Sequence, residues 1–224
     1  MMIRHWIDLP ERSLPPTGEC QLWLAWLDEE DPDAWLGYLS EDERLRASRL
    51  RSPRSADRFI VGRGILRFIL GRYLATRPEA LVFEYGPHGK PRLAACWGER
   101  LSFNVSHSAG LEVFAIANGF EIGVDIEQVH PVSNLEATAS FFLSPEELKE
   151  LDALPTRRKL ERFFELWACK ESILKARGYG FASPAKDVLA EFGRLGPEGE
   201  WLALLNPAEG FKGALTCLQP HTKE

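Results

Sequence analysis

The sequence lacks any apolar run approaching the roughly 18–20 residues needed to cross a bilayer, so a membrane-spanning helix is not expected. Its four cysteines (Cys20, Cys96, Cys169, Cys217) are far apart and form no CxxC pair. That spacing argues against a zinc site or a disulfide framework and fits a reducing, cytoplasmic location. The opening MMIRHWIDLPER is charged at once and has no apolar h-region, so a secretory signal is not expected. No GxxxxGK[ST] loop occurs; Gly89-Lys90-Pro91 is not a Walker loop, and a nucleoside-triphosphate site is unsupported. Nucleophile-elbow spacing is missing too, which makes a serine hydrolase a poor reading.

What is present fits an ordinary globular chain. The 224 residues are 45% hydrophobic and 27% charged, enough for one large domain or two of about 110 residues. Net charge is −6, unevenly spread. Between Ser40 and Arg77, ten arginines (44, 46, 49, 51, 54, 58, 63, 67, 72, 77) stand against four acids. An acidic chain with one arginine-rich stretch suggests a local anionic ligand rather than general nucleic-acid binding. Taken singly, each arginine also suits the wet face of a helix.

The segment CQLWLAWLD alternates and predicts a strand. Ser40, followed by three acids, predicts a helix start. A second helix is expected through ADRFIVGRGILRFILGRYLA, ending before Pro78. The Gly/Pro-rich EYGPHGKPRL reads as a turn. Three strands follow in LSFNVSH, LEVFAIA and FEIGVDIE, and Asn118-Gly119 predicts a hairpin joining the last two. Ser144-Pro145-Glu146-Glu147 is a capping box, and a long helix over about 160–177 should end at Gly178. EWLALL and GALTCL are strand candidates in the tail. This order indicates an α+β fold. Arg63-Gly64-Ile65-Leu66-Arg67 is faintly echoed 108 residues later by Glu171-Ser172-Ile173-Leu174-Lys175, which suggests a duplicated half.

Several residues look chemical. Strand periodicity puts Asp125 and Glu127 on one face, where a hard divalent cation such as Mg²⁺ would relieve their repulsion. The same pair also suits the solvated face of a half-buried strand. Glu171 and Lys175 share a helix face, a spacing that is equally the commonest surface pair; Lys170 points about 100° away. His107, in Ser106-His107-Ser108, could hydrogen-bond an anionic oxygen. Phe141-Phe142 and the tryptophans at 23, 26, 35 and 97 read as core.

In combination and order these segments are specific. SxxFNVSHS, GVDIE, FFLSPEE and WACKESILKARGYG together resemble the surfactin-synthetase type of 4′-phosphopantetheinyl transferases. The family signature, (I/V)G(V/I)D(I/V)E followed by (F/W)xxKE(S/A)xxK, reads without mismatch at Ile122–Glu127 and Trp167–Lys175. The resemblance spans Ser40 to Phe181. It implies two similar halves, residues 1–118 and 119–224, related by a pseudo-twofold axis. Each half would be a small, mainly antiparallel sheet on a long helix, with the active site between them. It also implies transfer of phosphopantetheine from coenzyme A to a serine of an apo acyl or peptidyl carrier protein, releasing adenosine 3′,5′-bisphosphate. Fatty acid, polyketide and nonribosomal peptide carriers are the implied partners, with no nucleic acid and no membrane, and a monomer is expected.

By the same resemblance Asp125, Glu127 and Glu171 hold Mg²⁺, or Mn²⁺ in its place. Lys175 and His107 contact the pyrophosphate, and of the carboxylates Glu171 is the one expected to take the serine proton, directly or through a metal-bound water. Coenzyme A would also meet Ser106, Gly89, Lys90, Pro91 and Arg58, with Arg46 on the 3′-phosphate and Glu146 supporting the site. One departure stands out: near Glu43 some relatives carry a second basic residue for that phosphate, and Arg44 or Arg49 would have to substitute. The arginine-rich stretch would also attract acidic carriers in a salt-sensitive way. Other readings of the same acids are a Mg²⁺-dependent phosphoesterase and a non-catalytic module binding coenzyme A or carrier.

Overall fold

The apolar run LEVFAIA is buried on both faces, and the fold is organised around it. The computed structural model describes residues 3–9, 14–97, 101–179, 188 and 200–218; Gly180 and Phe181, the end of the signature-like stretch, lie outside them. The first described half contains β1 (Ile3–His5), β2 (Cys20–Trp26), α1 (Pro32–Trp35), α2 (Glu41–Ser48) and α3 (Pro53–Leu74). It continues with β3 (Phe83–Tyr85), β4 (Pro91–Leu93), β5 (Leu101–Ser108) and β6 (Leu111–Asn118). The second contains β7 (Glu121–Gln128), α4 (Leu135–Phe142), α5 (Pro145–Asp152), α6 (Thr156–Arg177), β8 (Glu200–Leu205) and β9 (Phe211–Leu218). The result is a mixed α+β architecture of small sheets packed on helices. Among the described residues no helix is long and apolar enough to cross a membrane.

The main sheets have strand orders β1-β2-β6-β5 and β7-β9-β8, and β3 and β4 form a separate small ribbon. Pairing is antiparallel throughout the two main sheets except between β1 and β2. Period two explains why β6 is apolar all along. Phe114 and Ile116 point into a core shared with α3, among Trp23, Ile65, Ile69 and Phe103. Leu111, Val113, Ala115 and Ala117 point the other way, against Ile122, Val124 and Ile126 of β7 and Leu215 of β9. A third cluster seats Cys169, Ile173 and Leu174 of α6 on Leu202 and Ala214. A fourth joins α4, α5 and α6 through Ala139, Leu143, Leu151 and Phe163.

Local signals set the element ends. Ser40 and Ser144 both form reciprocal capping boxes, with Glu43 and Glu147. Pro53 occupies the first turn of α3, and α6 ends at Gly178 in the left-handed conformation (φ +74°).

The Asn118-Gly119 hairpin between β6 and β7 does not form. Both edges of β6 are already paired, by β2 and β5, whereas β7 pairs β9. Asn118 instead ties back to the chain before β2: its N–H donates to Glu19 O (3.2 Å) and its side chain to Pro15 O (2.8 Å). Phe141 is also not core. It is 73% exposed, while Phe142 stacks on Trp167 at 3.8 Å between centroids. The arginine stretch is not one wet face either, because Arg67 is 2% exposed and donates to Glu43, Pro78 O and Leu81 O.

Candidate active site

β5 and β7 are edge strands of different sheets, and their facing edges are joined by side chains rather than by a backbone ladder. Period two puts Asn104, Ser106 and Ser108 on one side of β5. Their side-chain oxygens accept the N–H groups of Val124 (2.9 Å), Ile126 (3.2 Å) and Gln128 (3.0 Å). Two lysines satisfy carbonyls on the same edge. Lys90 Nζ donates to Ile122 O (3.2 Å) and Lys175 Nζ to Val124 O (3.2 Å). Buried backbone groups need such partners, so these residues fix how the two sheets meet.

This seam delivers the acids. Ser106 Oγ donates to Asp125 Oδ1 (2.9 Å) and Ser108 Oγ to Glu127 Oε2 (2.9 Å). Lys175 Nζ lies 2.6 Å from Asp125 Oδ1 and 3.0 Å from Ser106 Oγ. Glu171 lies one turn earlier on the same face of α6. The helix sits close because β7 carries glycine at 123: a Cβ there would overlap the Ser172 carbonyl and the Ala176 amide. Asp125 and Glu171 are buried, each 4% exposed.

The three carboxyls feel one another. Burial pushes Glu171 up to about 7, and the charges of Asp125 and Glu127 add to that while Lys175 opposes it. Burial likewise raises Asp125, against the pull of Lys175 and Ser106. Glu127 is raised by burial and then by Asp125. Asp125 Oδ2 is buried and has no hydrogen-bond partner among the described residues. This donor chemistry, oxygen-only with excess negative charge, fits a hard divalent cation. Among the described residues, however, no three His, Cys, Asp or Glu side chains already compose a ligand cluster; Lys175 holds Asp125 Oδ1 instead.

A cavity of about 430 Å³ is lined by Arg46, Arg58, Arg63, Pro91, His107 and Glu112 among others. Four residues singled out from the sequence thus share it: Arg46, Arg58, Pro91 and His107. His107 lines the cavity and feels the charges of Lys175 and Asp125 on the seam. Its pKa is lowered by lost hydration and then by the charges of Lys175 and Arg58, while Asp125 opposes the shift. Arg58 is forked onto Asp28, with Nε–Oδ1 and Nη2–Oδ2 both at 2.7 Å.

Gly89 and Lys90 lie elsewhere. Gly89 (φ +82°) closes the β3–β4 turn, and Lys90 clamps Glu121, Ile122 O and Ala176 O. Glu146 opens α5 beside the capping box. Lys170, directed away from the acids, is fully buried and paired with Glu147 at 2.9 Å.

Sequence reasoning gave no individual site role to Asn104, Ser108, Arg63, Glu112 or Asp28. Polar residues at every second position of a buried strand, and one acid inside an apolar run, were the available signals.

A sequence model described as the 4′-phosphopantetheinyl transferase superfamily matches residues 121–209. The 4′-phosphopantetheinyl transferase HetI of Nostoc sp. is 41% identical over 187 residues, covering 81% of this chain and 78% of the relative. Sfp of Bacillus subtilis, also named a 4′-phosphopantetheinyl transferase, is 29% identical, covering 70% and 68%. Another of that name, ffp of B. subtilis, is 27% identical and covers 88% and 90%. With the signature residues drawn from β7 and α6 onto one seam, the chain belongs to the 4′-phosphopantetheinyl transferase superfamily and is an enzyme of that class.

Proposed function

We propose that this enzyme moves the phosphopantetheine arm of coenzyme A onto a serine hydroxyl of an apo acyl or peptidyl carrier protein, releasing adenosine 3′,5′-bisphosphate. The observation that carries the reading is His107, which lines the arginine-rich cavity and stands within electrostatic reach of Lys175 and Asp125. A nucleotide in the cavity would thereby present its pyrophosphate to the acidic seam.

The reaction is phosphoryl transfer, so positioning and charge neutralisation dominate. Arg46 receives the 3′-phosphate, with Arg58 and Pro91 forming cavity wall. His107 and Lys175 donate to the pyrophosphate oxygens. Gly89 and Lys90 shape the neighbouring turn, and Ser106 holds Asp125 and Lys175 in register. Asp125, Glu127 and Glu171 would hold Mg²⁺ or Mn²⁺, which supplies Lewis-acid neutralisation of phosphate charge. Glu171 accepts the serine proton as the serine oxygen–phosphorus bond forms and the anhydride bond to the nucleotide breaks.

The halves, 1–118 and 119–224, are taken as a pseudo-twofold duplication acting as a cytoplasmic monomer. Each half contains a 22-residue helix against a small sheet. The exposed arginines of α2 and the start of α3 supply charge for acidic carriers of fatty acid, polyketide or peptide synthesis, without nucleic acid or membrane.

The test is incubation with coenzyme A, Mg²⁺ and a panel of apo carriers, read by intact mass. Gain of one phosphopantetheine, abolished by EDTA and by Glu171→Ala, is expected, and rates should fall with salt. Metal-dependent loss of coenzyme A with no carrier gain would overturn the reading in favour of a phosphoesterase. Binding without turnover would reduce it to a binding module.

A further inference from the structure

The four cysteines are far apart in the sequence, yet the fold brings two of them together. Cys20 opens β2 and Cys217 lies near the end of β9. Period two puts Cys20 on the same face of β2 as Leu22, Leu24 and Trp26, and Cys217 on the same face of β9 as Phe211 and Leu215. Both faces look into one apolar cluster, the layer between the two main sheets.

The two strands cross that layer in opposite directions, and both ends of the crossing are marked. At one end Trp26 meets Phe211 edge to face, with ring centroids 5.7 Å apart. Six residues back along β2 stands Cys20, and six residues on along β9 stands Cys217. Their thiols hydrogen-bond one another there. Ala117, the register partner of Cys20 on β6, adds only a methyl to that face. Both cysteines are half-buried, so a small reagent can reach the pair, whereas Cys169 is sealed in another cluster.

The contact also makes the two thiols unequal. The hydrogen bond to Cys217 lowers the Cys20 thiol, with burial opposing it, whereas the same bond and then burial raise Cys217. Cys20 is therefore the thiol that reaches its thiolate first and attacks.

We infer that Cys20 and Cys217 are a redox-active pair, which a low-molecular-weight disulfide converts to a disulfide that staples the sheet of the first half to the sheet carrying Asp125 and Glu127. The Cys20 thiolate attacks one sulfur of the small disulfide, breaking its S–S bond and releasing one small thiol. Cys217 then attacks the Cys20 sulfur, and the second small thiol leaves. Two electrons pass from the protein pair to the small disulfide, and the two protein thiol protons end on the released thiols. In a reducing compartment the pair rests as the dithiol and closes under oxidative load. A disulfide between opposed sheet faces has a precedent in the immunoglobulin fold. Cys217 pairs with Ile122, which faces the apolar layer, so the staple forms on the side of the sheet away from Asp125. It closes a loop of about 200 residues and stabilises the fold without entering the acidic seam.

The experiment treats the wild type and Cys96→Ser, which removes the exposed thiol, with oxidised glutathione under native conditions. Intact Cys96→Ser should lose the mass of two hydrogens, and a non-reduced digest of either chain should join the Cys20 peptide to the Cys217 peptide. The thermal midpoint should rise by about 5–15 °C and fall back with dithiothreitol. Adding Cys217→Ser should instead stop the reaction at one glutathione on Cys20, with no rise in the midpoint. A lasting glutathione adduct on Cys20 without joined peptides, or a pair that stays unreacted, would overturn the inference. Joined peptides with an unmoved midpoint would equally deny the staple. None of these readings involves coenzyme A or a carrier, so they stand apart from the transferase reading and fail separately from it.

Discussion

Glu112→Gln isolates the most strongly perturbed carboxyl outside the acidic seam. Glu112 is 9% exposed, sits opposite His107 in the β5–β6 register and abuts Gly62, where a Cβ would overlap its carboxyl. Burial raises its pKa from 4.5 to about 8. Between those values the folded chain binds more protons at this site than the unfolded chain, so stability must fall as pH rises. The contribution is fully present below about pH 4.5, is lost progressively, and levels off above about pH 8. Each tenfold difference in proton affinity between the folded and unfolded chain is worth about 1.4 kcal/mol, so the loss between about pH 5 and pH 9 is about 4 kcal/mol. Glutamine keeps the shape and cannot ionise. Urea unfolding followed by tryptophan fluorescence should show Glu112→Gln gaining on the wild type by that amount across the interval. A difference independent of pH would refute the claim that the fold holds Glu112 protonated.

Other substitutions probe the seam and its surroundings. Asn104→Ala should cost about 1–3 kcal/mol in urea unfolding by stranding the Val124 N–H; an unchanged midpoint would mean the side-chain rungs do not hold the sheets together. Gly123→Ala should lower stability by about 3 kcal/mol or more, because the new methyl meets α6 backbone that cannot give way. Thermal unfolding at the wild-type midpoint would refute that close approach. Lys175→Met should cost roughly 3 kcal/mol by leaving Asp125 buried without its cation, with much of it recovered in the Lys175→Met, Asp125→Asn double variant; additive losses would deny the pairing. Arg58 and Arg54 hold the Asp28 carboxyl well below the usual range. Its stabilisation is therefore present above the unfolded value and lost as pH falls. The small gap between wild type and Asp28→Asn should narrow as pH falls below about 3.8, and a gap unchanged down to about pH 2 would exclude the ion pair as its source.

Local periodicity and capping were legible without a structure. The two carboxylates of GVDIE share a face because strand period is two, and Glu171 and Lys175 share one because helix period is near four. Ser144 and Gly178 bracket their helices because caps satisfy backbone groups within a turn. The signature residues at Ile122–Glu127 and Trp167–Lys175 also carried the family, which the relatives then showed. What the sequence could not decide was which edges meet. Asn118-Gly119 is a sound local hairpin signal, yet β6 had no free edge to offer β7. Glu43 and Arg67, polar by composition, became interior because each found the other 24 residues away. Lys90 and Ser106 became struts between the sheets because the unpaired edge of β7 needed donors and acceptors from β5 and its neighbours. Periodicity is set within a few residues, so the sequence alone determined it. Partner choice depends on which long-range surfaces remain unsatisfied once the chain is packed, and only the tertiary structure decided that.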